Sequence, residues 1–249
     1  MAAYDLKSMY HQRWVRWTHW IVTISFLALV FSGVEILMVH PRLYWGEVGN
    51  DLTPALFELP ISRNYHHNGW AEKTAFFPNQ SSPVSASRTY DIFNQNGWGR
   101  SLHFLAGWFL VITGVIYLLA GIFTAHVRTH LWPGRNQFTL RFLYRDVVNH
   151  FRMEIPSASN SREYGLLQRC TYLLVVFLLL PLIALTGLTM SPAITAAHPF
   201  LLKIFLGAQS ARTIHFFAFI VLILFLLVHI VMVIKSGFKQ QIRAMTLGK

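Results

Sequence analysis

Two histidines, His215 and His229, interrupt an apolar run over residues 212–234 that reads RTIHFFAFIVLILFLLVHIVMVI. Fourteen residues at about 100° each fall within about 40° of four whole turns, so on a helix both imidazoles share one face, roughly 21 Å apart along the axis. Two more histidines open apolar runs of their own, His19 in 17–39 and His103 in 101–124. An imidazole inside an apolar helix must face protein, water or a cofactor, and it is a common axial ligand of haem iron. Each of the three histidines at the start of a run follows an arginine by three residues: Arg16-Trp17-Thr18-His19, Arg100-Ser101-Leu102-His103 and Arg212-Thr213-Ile214-His215. That places a guanidinium one turn nearer the surface on nearly the same face, where it can fork to a haem propionate.

The elements that must position these groups are membrane helices. The chain is 54% hydrophobic and 12% charged, with 20 Phe and 8 Trp, against about 25% charged residues in soluble domains. About 20 apolar residues cover a hydrocarbon core of about 30 Å, and four runs are long enough: 17–39, 101–124, 170–190 and 212–234. The expected fold is an all-α, four-helix integral membrane bundle forming one domain over 1–249. It has a long loop at 40–100, an opposing loop at 125–169, and short helices within segments such as 52–59. The first run is too long for a signal peptide and no small-residue cleavage pattern follows it. Pro181 predicts a kink in the third helix. Gly107, Gly114 and Gly121 make a smooth stripe on the second, suited to close packing or to a flat porphyrin. Glu35 near the end of the first helix reads as snorkelling to the interface, with proton handling the sharper alternative.

The net charge of +11 does not indicate nucleic acid, because the basic residues follow topology. With the amino terminus in the cytoplasm, the inner segments hold 14 Lys and Arg and the outer segments 7, which predicts both termini inside. This topology puts His19 and His229 at the inner depth and His103 and His215 at the outer depth, so two bis-histidine irons are expected. Cys170 is the only cysteine, which excludes an internal disulfide, a cysteine-ligated iron–sulfur cluster and a CxxCH attachment of c-type haem, so the haems are expected to be b-type. The remaining histidines, His11, His40, His66, His67, His126, His130, His150 and His198, fall in loops or beyond span ends. Among them His126 and His130 are the inner-side alternatives to His19 or His229.

The opening Arg16-x-x-His19-Trp20, His103 at the start of the second helix and the His215-x13-His229 pair together resemble the four-helix di-haem cytochrome b subunits of the bacterial superfamily of cytochrome b561, nickel–iron hydrogenase cytochrome b and formate dehydrogenase gamma subunit. The resemblance covers all four spans. The long first outer loop is similar to the thiosulfate-reductase-like branch, whose cytochromes accompany extracytoplasmic molybdopterin oxidoreductases. It implies an electron-transfer subunit in the bacterial inner membrane, embedded in lipid. Such a subunit exchanges electrons between quinone or quinol and a periplasmic redox partner, a molybdopterin enzyme in that branch. By position, the quinone contacts are Arg13, His11, His126 and His130 on the inner side, or a place near Glu35 on the outer side. A self-contained quinone-linked oxidoreductase and a non-redox anchor or transporter are the rival readings.

Overall fold

The computed structural model describes residues 12–50, 53–61, 96–124, 132, 144, 148 and 166–248. Four helices among them are long and apolar enough to cross a membrane: Arg13–Val39, Gly97–Phe123, Leu167–Thr189 and Ala208–Lys235. They belong to α1 (Arg13–Val39), α2 (Asn96–Phe123), a compound third helix and α7 (Ala208–Lys235). The third is built from α3 (Leu166–Leu174), a π-helical turn (Val175–Leu179) and α4 (Leu180–Thr189). Short helices α5 (Pro192–Ala197) and α6 (Phe200–Ile204) precede α7, and α8 (Phe238–Thr246) follows it. Each span starts about one turn before its apolar run, because arginine, tryptophan and glutamine continue a helix as readily as they occupy an interface.

Side chains are sorted as in a lipid-solvated protein. The buried positions hold small and polar residues such as Ser25, Ser32, Thr113, Thr186 and Thr213, while Leu27, Phe109, Ile116, Leu224 and Val228 lie exposed. Lipid is as apolar as leucine, so close approach of small residues and hydrogen bonds, not apolar burial, hold such helices together.

The chain divides into two compact units. One, which contains His19, comprises Met1–Trp20, Thr113–Pro181 and Ile220–Lys249. Here the expected kink takes a specific form: the Leu180 N–H donates to the Val175 carbonyl, one residue wider than an α-helical bond, immediately before Pro181. Proline has no N–H and its ring crowds the preceding turn, and a π-turn absorbs both. At the other end of this unit Gly237, with φ of 99°, stops α7 and lets α8 turn away. Arg16 then donates to the Thr246 carbonyl at 2.9 Å and the Trp20 indole to the Met245 carbonyl at 3.0 Å. These carbonyls end α8 and have no intrahelical donor of their own.

The other unit, which contains His103, comprises Ile21–Ile112 and Leu182–Phe219. In it α1 ends at Val39, two residues before Pro41, as the steric demands of proline require. The chain then forms β1 (Arg42–Leu43), antiparallel to β2 (Phe57–Glu58) in the register Arg42–Glu58 and Leu43–Phe57. The 52–59 segment was expected to be helical; among its described residues the structure has this strand instead. The Leu56 N–H bonds the Leu43 carbonyl at 2.7 Å and the Leu59 N–H bonds the Pro41 carbonyl at 3.0 Å, so cross-strand partners outcompete a local helix. Nor is the 191–211 segment a simple loop, since α5 starts with Pro192 in the first turn, where its missing N–H costs nothing.

Residues 40–46 latch onto the start of α7. The N–H groups of Gln209 and Ser210 both donate to the Gly46 carbonyl, at 3.0 and 3.2 Å, and the Gly46 N–H donates to Ser210 Oγ at 2.6 Å. Thr213 Oγ1 donates to the Tyr44 carbonyl at 2.6 Å, and Arg212 donates to the His40 carbonyl. A Cβ on Gly207, at φ of 113°, would collide with the Gly46 backbone. The first turn of α7 is thereby satisfied, and the helix that carries His215 is set in place.

Candidate functional site

His103 on α2 and His215 on α7 face each other with ring centroids 6.2 Å apart and planes crossed at 56°. His19 on α1 and His229 on α7 do the same at 6.4 Å and 51°. A metal–imidazole bond is about 2 Å, and the ring centroid lies ~1.1 Å behind the ligating nitrogen, so two imidazoles on opposite sides of one metal have centroids about 6.3 Å apart. Both pairs have that spacing. Among the described residues no three metal-ligating side chains cluster. Each histidine pair therefore suits an ion whose other ligands come from a macrocycle, the ligation seen in haem proteins.

Each ring has defined surroundings. Trp20 meets His19 edge-on at 5.6 Å, and Phe225 stacks on His229 at 5.8 Å and 23°. The edge of Tyr172 packs on Phe225 at 6.5 Å, and the tyrosine hydroxyl accepts from Gln168 Nε2 at 2.8 Å. In the other pair His103 Nδ1 lies 3.0 Å from Ser32 Oγ and His215 Nδ1 lies 3.0 Å from Thr186 Oγ1. Neither hydroxyl was singled out by sequence, where Ser and Thr in apolar helices read as packing residues.

A Cβ built on Gly107 or Gly114 would have no atom within 4 Å among the described residues. Gly107 lies one turn beyond His103 on nearly the same face, where a side chain would obstruct a flat ring held by that histidine. Gly33 and Gly187 behave differently, since a Cβ at either would sit 3.5 Å from Cε1 of His103 or His215. The residues present thus fit a porphyrin: paired imidazoles at the right spacing, and a small-residue surface beside one of them.

Other expectations are redrawn. Arg16, Arg100 and Arg212 share a spacing but not an environment. Arg16 and Arg212 donate to backbone carbonyls, as described above, while Arg100 is exposed over the Phe104 ring, 6.0 Å from its centroid, in a groove with Gly97 and Ser101. Glu35 does not snorkel: it is 1% exposed and lies against Gly99, where any Cβ would collide with its carboxylate. The reason is that α2 begins early enough to cover it. Trp98 is part of α2 and packs on Phe31 with centroids 5.5 Å apart. Arg169 is buried and donates to the Trp132 carbonyl at 3.4 Å. His40 and His198 are exposed, as is Arg13. His11, His66, His67, His126, His130, His150 and Trp70 lie outside the described residues.

Four apolar helices, polar groups turned inward and histidines paired across helices define an integral membrane helical protein of the b-type cytochrome class. The chain belongs to the prokaryotic cytochrome b561 family, which it matches over residues 10–248. It is 26% identical over 223 residues, covering 90% of this chain and 89% of the relative, to the putative protein-methionine-sulfoxide reductase subunit YedZ1 of Azospira oryzae. No solved structure matches it. The chain is thus a multi-pass membrane cytochrome whose family binds b-type haem and transfers electrons.

Proposed function

We propose that this protein holds two b-type haems, one between His19 and His229 and one between His103 and His215, and carries electrons between membrane quinone and an extracytoplasmic redox partner. The observation that carries the reading is the pair of imidazole–imidazole spacings, 6.4 and 6.2 Å, each matched to one iron. When bound, haem supplies a one-electron centre. His19 with His229 and His103 with His215 would hold the two haems, and two protein ligands to each iron would favour electron transfer over oxygen binding.

Charge counts along the chain support placing both termini in the cytoplasm of a bacterial inner membrane, with His103 and His215 on the outer side. Arg100 is the propionate-binding arginine in this reading, because its guanidinium is exposed beside the His103 turn. Arg16 and Arg212 steady the segments around their histidines through the carbonyls they hold. Quinone is assigned to the inner side, around Arg13. The similar Azospira protein is described as the subunit of a reductase. That supports a second polypeptide docked outside the membrane, and a molybdopterin oxidoreductase fits the long outer loop.

The test is the haem content of the purified chain, with its reduced-minus-oxidised spectrum. Two b-type haems per polypeptide are expected, and His103→Ala or His215→Ala should remove one while the other persists. A chain with one haem or none would overturn the assignment. Co-purification of a periplasmic oxidoreductase tests the partner separately.

A further inference from the structure

We propose that Ser32 and Thr186 are positioning residues for the His103–His215 site: each hydroxyl fixes its imidazole as the Nδ1–H tautomer and turns Nε2 toward the metal. The inference rests on the reading of this pair as a haem site. Two matched constellations carry it. Ser32 Oγ lies 2.7 Å from the Ala28 carbonyl, four residues back in α1, and 3.0 Å from His103 Nδ1. Thr186 Oγ1 lies 2.7 Å from the Leu182 carbonyl, four residues back in α4, and 3.0 Å from His215 Nδ1.

The hydrogen bookkeeping decides the tautomer. A hydroxyl has one hydrogen, and a carbonyl can only accept. Once Ser32 and Thr186 donate to Ala28 and Leu182, their oxygens face the imidazoles as acceptors, so Nδ1 must carry the proton. The lone pair of each ring is then on Nε2, free to bind metal. Both hydroxyls are fully buried, where an unmatched partner would be costly.

Serine and threonine commonly bond back to their own helix with no further role. Here the device occurs twice, with matching neighbours. Phe31-Ser32-Gly33 on α1 parallels Leu185-Thr186-Gly187 on α4, and Arg100-Ser101-Leu102-His103-Phe104 on α2 parallels Arg212-Thr213-Ile214-His215-Phe216 on α7. A Cβ added to the glycine after each hydroxyl would lie 3.5 Å from Cε1 of the same imidazole in both cases. Each histidine is thus held by a hydroxyl–glycine pair on another helix. The two halves of the site are copies of one arrangement.

The decisive variants are Thr186→Val, which keeps the shape and deletes the hydroxyl, and Thr186→Ser, which restores it; Ser32→Ala and Ser32→Thr form the second set. Redox titration, transfer of haem to an apoprotein acceptor and low-temperature EPR of the ferric protein are the readouts. Thr186→Val and Ser32→Ala should weaken retention of the His103–His215 haem about tenfold. They should also raise its midpoint potential by about 59 mV, a tenfold change for a one-electron couple. The sign follows because an imidazole that loses an acceptor donates less charge to ferric iron. Thr186→Ser and Ser32→Thr should return both quantities toward wild type, and the His19–His229 haem should not move in any variant. Unchanged values in Thr186→Val and Ser32→Ala, or equal losses in Thr186→Val and Thr186→Ser, would overturn the hydroxyl role while leaving the haem assignment intact. Retention of both haems in His103→Ala would overturn the underlying site as well.

Discussion

A single buried carboxylate shows how one residue constrains another. Glu35 lies against Gly99 with no space for a Cβ, whereas a Cβ on Gly33 would be in ordinary contact with the His103 ring. Gly99→Ala should therefore lower stability by about 1–3 kcal/mol, the usual cost of overpacking. Gly33→Ala should be near neutral. In Gly99→Ala combined with Glu35→Ala the penalty should largely vanish, because the colliding group is gone. Thermal unfolding in detergent checks all three, and a Gly99→Ala penalty that persists without Glu35 would place its cause elsewhere. At the same scale, His229→Ala should remove the haem assigned to His19 and leave the ferric EPR signal of the other pair unchanged. Disturbance of both signals would show that the pairs do not bind independently.

Among the elements, the third helix and the start of α7 do the positioning. The third helix carries a π-turn over Val175–Leu179, which holds one more residue than an α-helical turn. Deleting Phe177 should remove that turn and rotate Thr186 by about 100° relative to Tyr172. The His103–His215 haem should then bind weakly. Part of the accompanying stability loss should be recovered by Pro181→Ala, since an uninterrupted α-helix has no room for the ring. Haem occupancy and unfolding of the single and double variants give the comparison, and full occupancy in the deletion would show that the turn does not set the register. The latch at Gly46 works on the same site from another side. Ser210→Ala removes an acceptor from the part-buried Gly46 N–H and should cost about 1 kcal/mol, the net worth of one hydrogen bond.

At the scale of the molecule, lipid as solvent leaves many large apolar side chains exposed while Ser32, Thr186, Thr213 and Glu35 are buried, so function and folding draw on the same interior residues. Cysteine labelling from either side of intact cells should find residues near Lys249 and Arg13 accessible only from the cytoplasm, and residue 47 only from outside. The reverse pattern would exchange the depths of the two histidine pairs and move the partner to the other face.

The sequence alone determined the four spans, the pairing of His19 with His229 and of His103 with His215, and the family resemblance. The spans and the pairing follow from periodicity, span length and charge, which are local or nearly additive along a chain, and the resemblance rests on the Arg16-x-x-His19-Trp20, His103 and His215-x13-His229 motifs. What surrounds the rings was decided by tertiary structure. Ser32 and Thr186 gain meaning only when α1 meets α2 and the third helix meets α7, across separations of 71 and 29 residues. The three Arg-x-x-His motifs share a spacing, which specifies a helix face and leaves each guanidinium's protein partner to the fold. Arg16 and Arg212 found carbonyls 230 and 172 residues away, while Arg100 stayed exposed, because a guanidinium's partner is whatever chain the fold lays beside it. The strand at Phe57–Glu58 and the burial of Glu35 likewise depend on neighbours distant along the chain, and no local pattern encodes them.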